Sequence, residues 1–497
     1  MLLIIVFVPL ITALLILIGA PARLTALLGS GATVIAALIA FFLYDPARAE
    51  FQFVSSFPIS ESWRLQFLLG ADGLSLIMLF LAALVLLCAV WFTPPIQKSE
   101  PLFYACLLFV ASGAIGAFAS LDLFFFYAFH ELALIPTFLL IGIWGSGNRF
   151  AAAWKVTIYL GLGSFVLLLG LILLYRSVPP ALRSFDLRAL QTAAANGGIA
   201  ADTQNQIFFL LLIGFGVLIS LFPFHTWAPE AYASAPPPAA MLHAGVLKKF
   251  GLYGLLRLAL PLVPEGARHW NTLLIVLLSG NIIYVGLVTI AQKRLDWMLG
   301  YSSVMHMGYI FLGIASANII GLNGAALLMF AHGISIALLF ALAGEIRRRT
   351  GTLVFSDLGG LGKIMPFAGF AFGIATFAAI GLPGFANFAA EVMVFFGAFR
   401  VGADWQSFHL FQIATVLALW GVVISAVYML RAYRVVFMGA AKPEALRGWS
   451  MTPDLSRTLR LPIILLITAT LIVGFFPNTV LRLLRPTFSP PVAASDR

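Results

Sequence analysis

The 497 residues are 62% hydrophobic and only 10% charged, with a mean hydropathy of +1.03, a composition that excludes a soluble multidomain enzyme. The two cysteines, Cys88 and Cys106, both lie in apolar runs, which excludes a disulfide framework and a cysteine metal site. A formal net charge of +10 reads as the basic short loops that orient a polytopic chain, and not as a nucleic-acid surface.

Apolar runs between polar breaks predict about fourteen spans, at residues 2–20, 23–44, 73–93, 101–120, 121–143, 151–176, 206–228, 239–262, 270–291, 299–317, 322–346, 364–398, 409–437 and 459–481. The expected fold is an all-α polytopic membrane protein. The first span starts at Met1 and a second follows at once, with no charged leader or cleavage site, so it is expected to stay in the mature chain. The seventh span runs straight into PFHTWAPEAYASAPPP, where Pro223, Pro229 and Pro236 to Pro238 interrupt the backbone ladder. The twelfth meets a similar interruption at GLPGFANFAAE, residues 381–391. Interrupted spans in corresponding positions of two halves mark inverted-repeat transporters with ion sites at the breaks; an ordinary proline kink is the plainer alternative. Sixteen of the 29 Lys and Arg fall in loops after odd-numbered spans and eleven on the other side, which predicts that both termini face away from the cytoplasm.

A charge at the bilayer centre costs about 2.5–3.5 kcal/mol, so each ionisable residue inside a span needs a reason. Glu131 sits mid-span, too deep to snorkel; a protonated acid bridging two helices is its bland role. Lys248 and Lys249 are adjacent, so on a helix they point about 100° apart and serve different sites. Glu391 follows the second break at the expected start of a resumed half-helix, where the dipole favours a carboxylate and an acidic cap is the alternative. His130, His225, His243, His306 and His332 lie in or beside apolar runs and titrate near enough to neutrality to pass protons, although a lone membrane histidine more often only satisfies a hydrogen bond. No histidine pair has the helical spacing of a metal site, and no metal is expected. The chemistry these residues offer is proton or small-cation transfer along a polar thread.

At this point the sequence resembles the antiporter-like membrane subunits of respiratory complex I, specifically the subunit M (chain 4) type of NADH:quinone oxidoreductase. The resemblance runs from about residue 60 to 480 and is carried by LLGADGLSL at 69–77, FHELALIPTFLLIGIWG at 129–145, PFHTWAPEA at 223–231, LKKFGLYGLLR at 247–257, GYSSVMHMGY at 300–309, FAHGIS at 330–335 and GLPGFANFAAE at 381–391. It implies fourteen spans in four blocks: 1–100, a five-helix repeat at 101–262, an inverted second repeat at 270–437, and 459–497. It further implies that Glu131 modulates a seventh-span lysine, and that Lys249, selected by counting back through KxGxYG, links to Glu391, with His306 and His332 on the axis between. Lys248, His225 and His243 are weaker candidates. Implied partners are the lipid bilayer and the L-type and N-type subunits of a bacterial inner-membrane complex, with quinone and NADH bound by other chains. No nucleotide loop, flavin site or iron–sulfur pattern occurs, so no cofactor and no redox active site are expected on this chain.

Two positions depart from the family pattern. Leu218 stands where the family has its seventh-span lysine, and Asp296 stands where a lysine is usual before the tenth span. Leucine holds no proton, and without the cation Glu131 loses its implied partner. No Lys or Arg lies between Arg188 and Lys248 to replace it; His225, His243 and Lys248 are the candidates. Three functions follow: a proton-translocating complex I subunit, a subunit of a multisubunit cation/proton antiporter, or a spacer that has lost conduction. Retained Glu131, Lys249 and Glu391 argue against the spacer. The related subunit L type continues into a long lateral helix, whereas sixteen residues follow residue 481 here.

Overall fold

The structure, a computed structural model, describes residues 1–48, 50–402, 409–440 and 454–488. It is mostly helical, and 11 of its helices are long and apolar enough to cross a membrane. Helices α1 (Leu2–Leu17) and α2 (Ala22–Leu43) precede a hairpin of β1 (Gln52–Ser60) and β2 (Leu65–Ala71). Then follow α3 (Gly73–Phe92), α4 (Glu100–Ala119), α5 (Leu123–Trp144), α6 (Arg149–Ser177), a short α7 (Leu187–Ala195) and α8 (Ala201–Ile219). The next span is assembled from pieces: α9 (Trp227–Ser234), then α10 (Pro237–Leu242), α11 (Lys249–Gly254) and α12 (Leu260–Leu262), with π-helical turns at His243–Leu247 and Leu255–Ala259. A third π turn, Gly280–Tyr284, joins α13 (Pro264–Ser279) to α14 (Val285–Ala291). Helices α15 (Leu295–Ala315), α16 (Ile319–Thr350), α17 (Pro366–Ile380), α18 (Ala386–Phe399), α19 (Leu410–Phe437), α20 (Arg457–Phe475) and α21 (Asn478–Phe488) complete the chain.

Burial sorts these helices into an inner and an outer layer. The apolar windows of α3, α4, α15 and α16 are between 89% and 100% buried, whereas those of α6, α19 and α20 are under 40%. A helix that is apolar all round and still exposes Ile158, Leu162 and Phe165, as α6 does, presents them to lipid. The 32-residue α16 is the axis and packs on α3, α10, α15, α17, α18 and α20. Small residues set its approach: a Cβ on Gly333 would lie 2.7 Å from the Gly245 carbonyl oxygen, and one on Gly245 2.9 Å from that of Gly333. In lipid, where hydrocarbon surrounds the helices too, such close backbone contact is a main source of helix association.

Both interruptions occur where the prolines and glycines predict them. Helix α8 ends at Ile219 and α9 begins at Trp227; α17 ends at Ile380 and α18 begins at Ala386. At the first break Asn281, on the π turn after α13, accepts from the Phe222 amide at 2.6 Å and donates to the carbonyls of Ser220 at 3.2 Å and Val304 at 3.0 Å. The Trp227 indole donates to the Val217 carbonyl at 3.0 Å. The freed backbone groups are thus satisfied inside the protein, as hydrocarbon requires.

Several expectations need correction. The hairpin and α7 lie between predicted spans, and α20 ends at Phe475, so that α21 begins inside the predicted last span 459–481. Arg257, counted among loop cations, is 6% exposed and pairs with Asp72 at 2.5 Å (Nη2 to Oδ1). Asp72 also caps α3 by accepting from the Ser75 amide. Asp296, at the start of α15, is 3% exposed and pairs with Arg294 at 2.8 Å and with Arg347. Of the cations used to orient the chain, Lys442, Arg447 and Arg497 lie outside the described residues.

Candidate functional site

The core holds one extended polar line. Lys249, fully buried on α11, donates from Nζ to the Ala244 carbonyl at 2.6 Å and lies 2.9 Å from Nδ1 of His332 on α16. The Gly245–Gly333 contact is what makes this possible, because it brings the π turn before Lys249 against the turn that carries His332. The His332 ring lies 5.5 Å from that of His306 on α15. Both nitrogens of His306 face carbonyls, Nδ1 that of Ser302 at 2.8 Å and Nε2 that of Ala379 at 2.9 Å. Ala379 belongs to the last turn of α17, so His306 occupies a carbonyl freed by the second break. A neutral imidazole donates only one of these bonds. Next along α15, Tyr309 sits edge-on to His306 at 5.6 Å and to Phe395 on α18 at 5.6 Å.

Glu391 is 3% exposed, and its Oε1 has no hydrogen-bond partner among the described residues. It stands in the second turn of α18, whose N-cap is Phe385, and not at the helix start. The dipole argument therefore does not apply, since that effect falls off within the first turn. The carboxylate instead reaches back to Gly381, which has a φ of +80° and whose missing side chain leaves room for Oε2. One turn before it, Asn387 is fully buried with both amide atoms unpartnered among the described residues.

Glu131 is not part of this line. It is half-buried on the outward side of α5, and its partner is the Ser164 hydroxyl on α6, which lies 3.2 Å from the Tyr127 hydroxyl. Leu218 is 4% exposed near the end of α8. Lys248, His243, His130 and His225 form a second set on the α9 side. Lys248 is 1% exposed, with its Nζ 5.6 Å from the Tyr232 ring centroid, and the Tyr232 hydroxyl is 3.4 Å from Nδ1 of His243. His130 stacks on Phe250 at 4.1 Å, and His225 lies in the first break beside Phe222. The structure therefore brings together Lys249, His332 and His306, places Glu391 against Gly381 at the same break whose Ala379 carbonyl faces His306, and sets Glu131 apart.

Tyr309, Tyr232 and Asn281 escape a reading confined to ionisable residues. Asn281 left a signal, a lone amide within LLSGNIIYV; the tyrosines left none, because an aromatic in an apolar run is ordinarily core. Within the polar line the direct side-chain contact is that of Lys249 with His332, and Nε2 of His332, the Tyr309 hydroxyl and Oε1 of Glu391 have no hydrogen-bond partner among the described residues. Among the described residues no group of three or more His, Cys, Asp or Glu is arranged to hold a metal ion.

Comparison with known proteins shows the family. The model of the NADH:quinone oxidoreductase/Mrp antiporter transmembrane family matches residues 120–418. NADH-quinone oxidoreductase subunit M of Rickettsia felis is 33% identical over 461 residues, covering 93% of this chain and 90% of that protein. A chain of respiratory complex I from Thermus thermophilus superposes with a TM-score of 0.87 at 27% identity, over 98% of this chain and 99% of that one. A chain of the Mrp complex from Dietzia shares the fold, with a TM-score of 0.82 at 22% identity over 98% and 96%.

Proposed function

From the premise that the chain belongs to the NADH:quinone oxidoreductase/Mrp antiporter transmembrane family, we propose that it is the subunit M (chain 4) type antiporter-like subunit of a proton-translocating NADH:quinone oxidoreductase. It carries protons through the membrane while quinone is reduced elsewhere in the assembly. The observation that carries this reading is the buried contact of Lys249 with His332, continued by His306 toward Glu391. Protons held at Lys249 pass by way of the two histidines to the carboxylate of Glu391, each group regaining its neutral or charged form as its neighbour changes. Such a step needs no resident cofactor, and NADH and quinone belong to other subunits. Glu131, at the outward side of α5, is suited to sense the charge of an adjoining chain.

The same reading takes the chain as fourteen crossings with repeats at 101–262 and 270–437. Its neighbours are L-type and N-type subunits of a bacterial inner-membrane complex, and both termini face away from the cytoplasm. Enzymatically it is a part of a translocase. The likeness to the Dietzia Mrp chain supports a second reading, a subunit of a multisubunit cation/proton antiporter. Leu218 supports a third, a non-pumping spacer.

The test is the number of protons moved per electron in sealed membrane vesicles that carry the intact assembly. Glu391→Gln is expected to lower that ratio with electron transfer continuing, and Glu131→Gln to lower it less. An unchanged ratio in Glu391→Gln removes the buried line from the mechanism. Sodium- or potassium-coupled proton exchange with no dependence on electron flow selects the antiporter.

A further inference from the structure

The buried line passes from the first half of the chain to the second where Lys249 on α11 meets His332 on α16. That contact is the inner end of a longer one. Going along α16 from His332, Gly333 packs on Gly245, a Cβ on Gly344 would run into the ring of Pro237, and Arg347 donates to the Ala233 carbonyl at 3.4 Å. The partners recede along the chain as α16 advances, so α16 and the segment after the first break lie antiparallel in one register. Arg347 is about four turns from His332, at the outer end of the shared stretch. The Gly245–Gly333 approach brings the two backbones close but offers no side chain that resists sliding.

Resistance to sliding comes from charge at the outer end. The Arg347 guanidinium donates to the Ser146 hydroxyl at 2.8 Å in the loop between α5 and α6, reaches the Ala233 carbonyl in the last turn of α9, and pairs with Asp296 at the start of α15. One planar group with several fixed donors thus holds two elements of the first half and one of the second. The Ser146 amide in turn donates to the Ser234 carbonyl at 2.8 Å, which ties the end of α9 to the same loop. Asp296 is 3% exposed, stands in the first turn of α15, where the helix dipole favours a negative charge, and has Arg294 as its second partner at 2.8 Å. A lysine at 296, as the family resemblance implies, would set a third cation beside Arg294 and Arg347. The departure at this position is what seats Arg347.

We propose that Asp296 and Arg347 are positioning residues for proton transfer: their pair locks the register of α16 on residues 227–249 and so holds His332 opposite Lys249. A slip of α16 by one residue would move His332 by about 1.5 Å along the axis and turn it by about 100°, away from Nζ of Lys249. The pair itself carries no proton. This inference rests on the proton-translocating reading above and adds to it two residues, remote from the buried line, on which its central contact depends.

Protons moved per electron, in sealed vesicles with the intact assembly, separate a pair that sets register from one that only stabilises the fold. Asp296→Asn and Arg347→Lys are each expected to lose the share of that ratio that Glu391→Gln loses, with electron transfer continuing. Arg347→Lys keeps a cation beside Asp296 but not the fork that also reaches Ser146 and Ala233. The double variant is expected to lose no more than either single one, because both act through one contact. Asp296→Glu, which keeps the charge, is expected to rescue the ratio. A wild-type ratio in Asp296→Asn, losses that add in the double variant, or a loss in Asp296→Glu as deep as in Asp296→Asn overturns the proposal. If neither single variant assembles, Ser146→Ala, which leaves the ion pair intact and removes its hold on the first half, decides: a lowered ratio supports the lock and a wild-type ratio overturns it. Should Glu391→Gln lower the ratio while these variants do not, only this inference falls. Should none of them lower it, the translocating reading falls with it.

Discussion

Asp72 and Arg257 have been taken out of water together, and each is tolerable only while the other is present. Burial alone would lift the Asp72 carboxyl above its ordinary value; the Arg257 charge and the bonds from Arg257 and Ser75 hold it below. With the native value lowered, this pair stabilises the fold above the unfolded value near 3.9, and the contribution is lost as pH falls through the native value. Replacing Arg257 by Met leaves a buried unpaired carboxylate, a loss of about 3–5 kcal/mol. The pH dependence should then change sign. Detergent-solubilised Arg257→Met is expected to melt far below wild type at neutral pH and to recover toward acid, where Asp72 takes up a proton, while wild type weakens there. Thermal unfolding followed across pH checks both slopes. A variant that melts like wild type at neutral pH would show that the pair adds nothing.

Among the elements, α16 does most to assemble the site, through glycine contacts that no side chain can imitate. Gly333→Val would drive a branched side chain into the Gly245 carbonyl and the Leu81 side chain, at about 1–3 kcal/mol for an overpacked contact. The displacement falls on the Lys249–His332 contact, so proton transfer should suffer more than assembly. Gly31→Ala on α2, where nothing lies within 4 Å, is the matched control and is expected to behave as wild type. Comparison of protons per electron and of melting temperature in the two variants checks this; equal behaviour would uncouple the helix crossing from the chemistry. The interrupted helices follow the same logic. Their ends are held by side chains from other elements, Asn281 and Trp227 at the first and His306 at the second, so the breaks are built parts of the core.

For the molecule as a whole, the question is how the first half works with Leu218 where the family resemblance implies a lysine. Leu218→Lys puts a charge at a buried apolar position near the end of α8 and is expected to leave protons per electron unchanged or lower. A rise, measured in the intact assembly, would mean that the natural chain is impaired at this position. Much of the architecture was legible in the sequence. Hydropathy over about twenty residues reports a crossing because lipid admits little else, and prolines with glycines report the breaks because they cannot continue a helix. Some of the buried charges were legible too, Lys248, Lys249 and Glu391 among them, since so few interrupt the apolar runs, whereas Arg257 and Asp296 were not. What the sequence could not contain is direction around each helix. Glu131 faces the buried Ser164 on α6 and not the Lys249 line, Glu391 lies a turn inside its helix, and Arg257 turns inward to Asp72 across a separation of 185 residues. The sequence by itself determined which segments are apolar enough to enter a membrane and which residues carry protonatable groups, because those depend on local composition. Only the tertiary structure decided that Lys249 meets His332 and that Lys248 turns to Tyr232, because helix rotation and crossing are set by contacts between segments far apart in the chain.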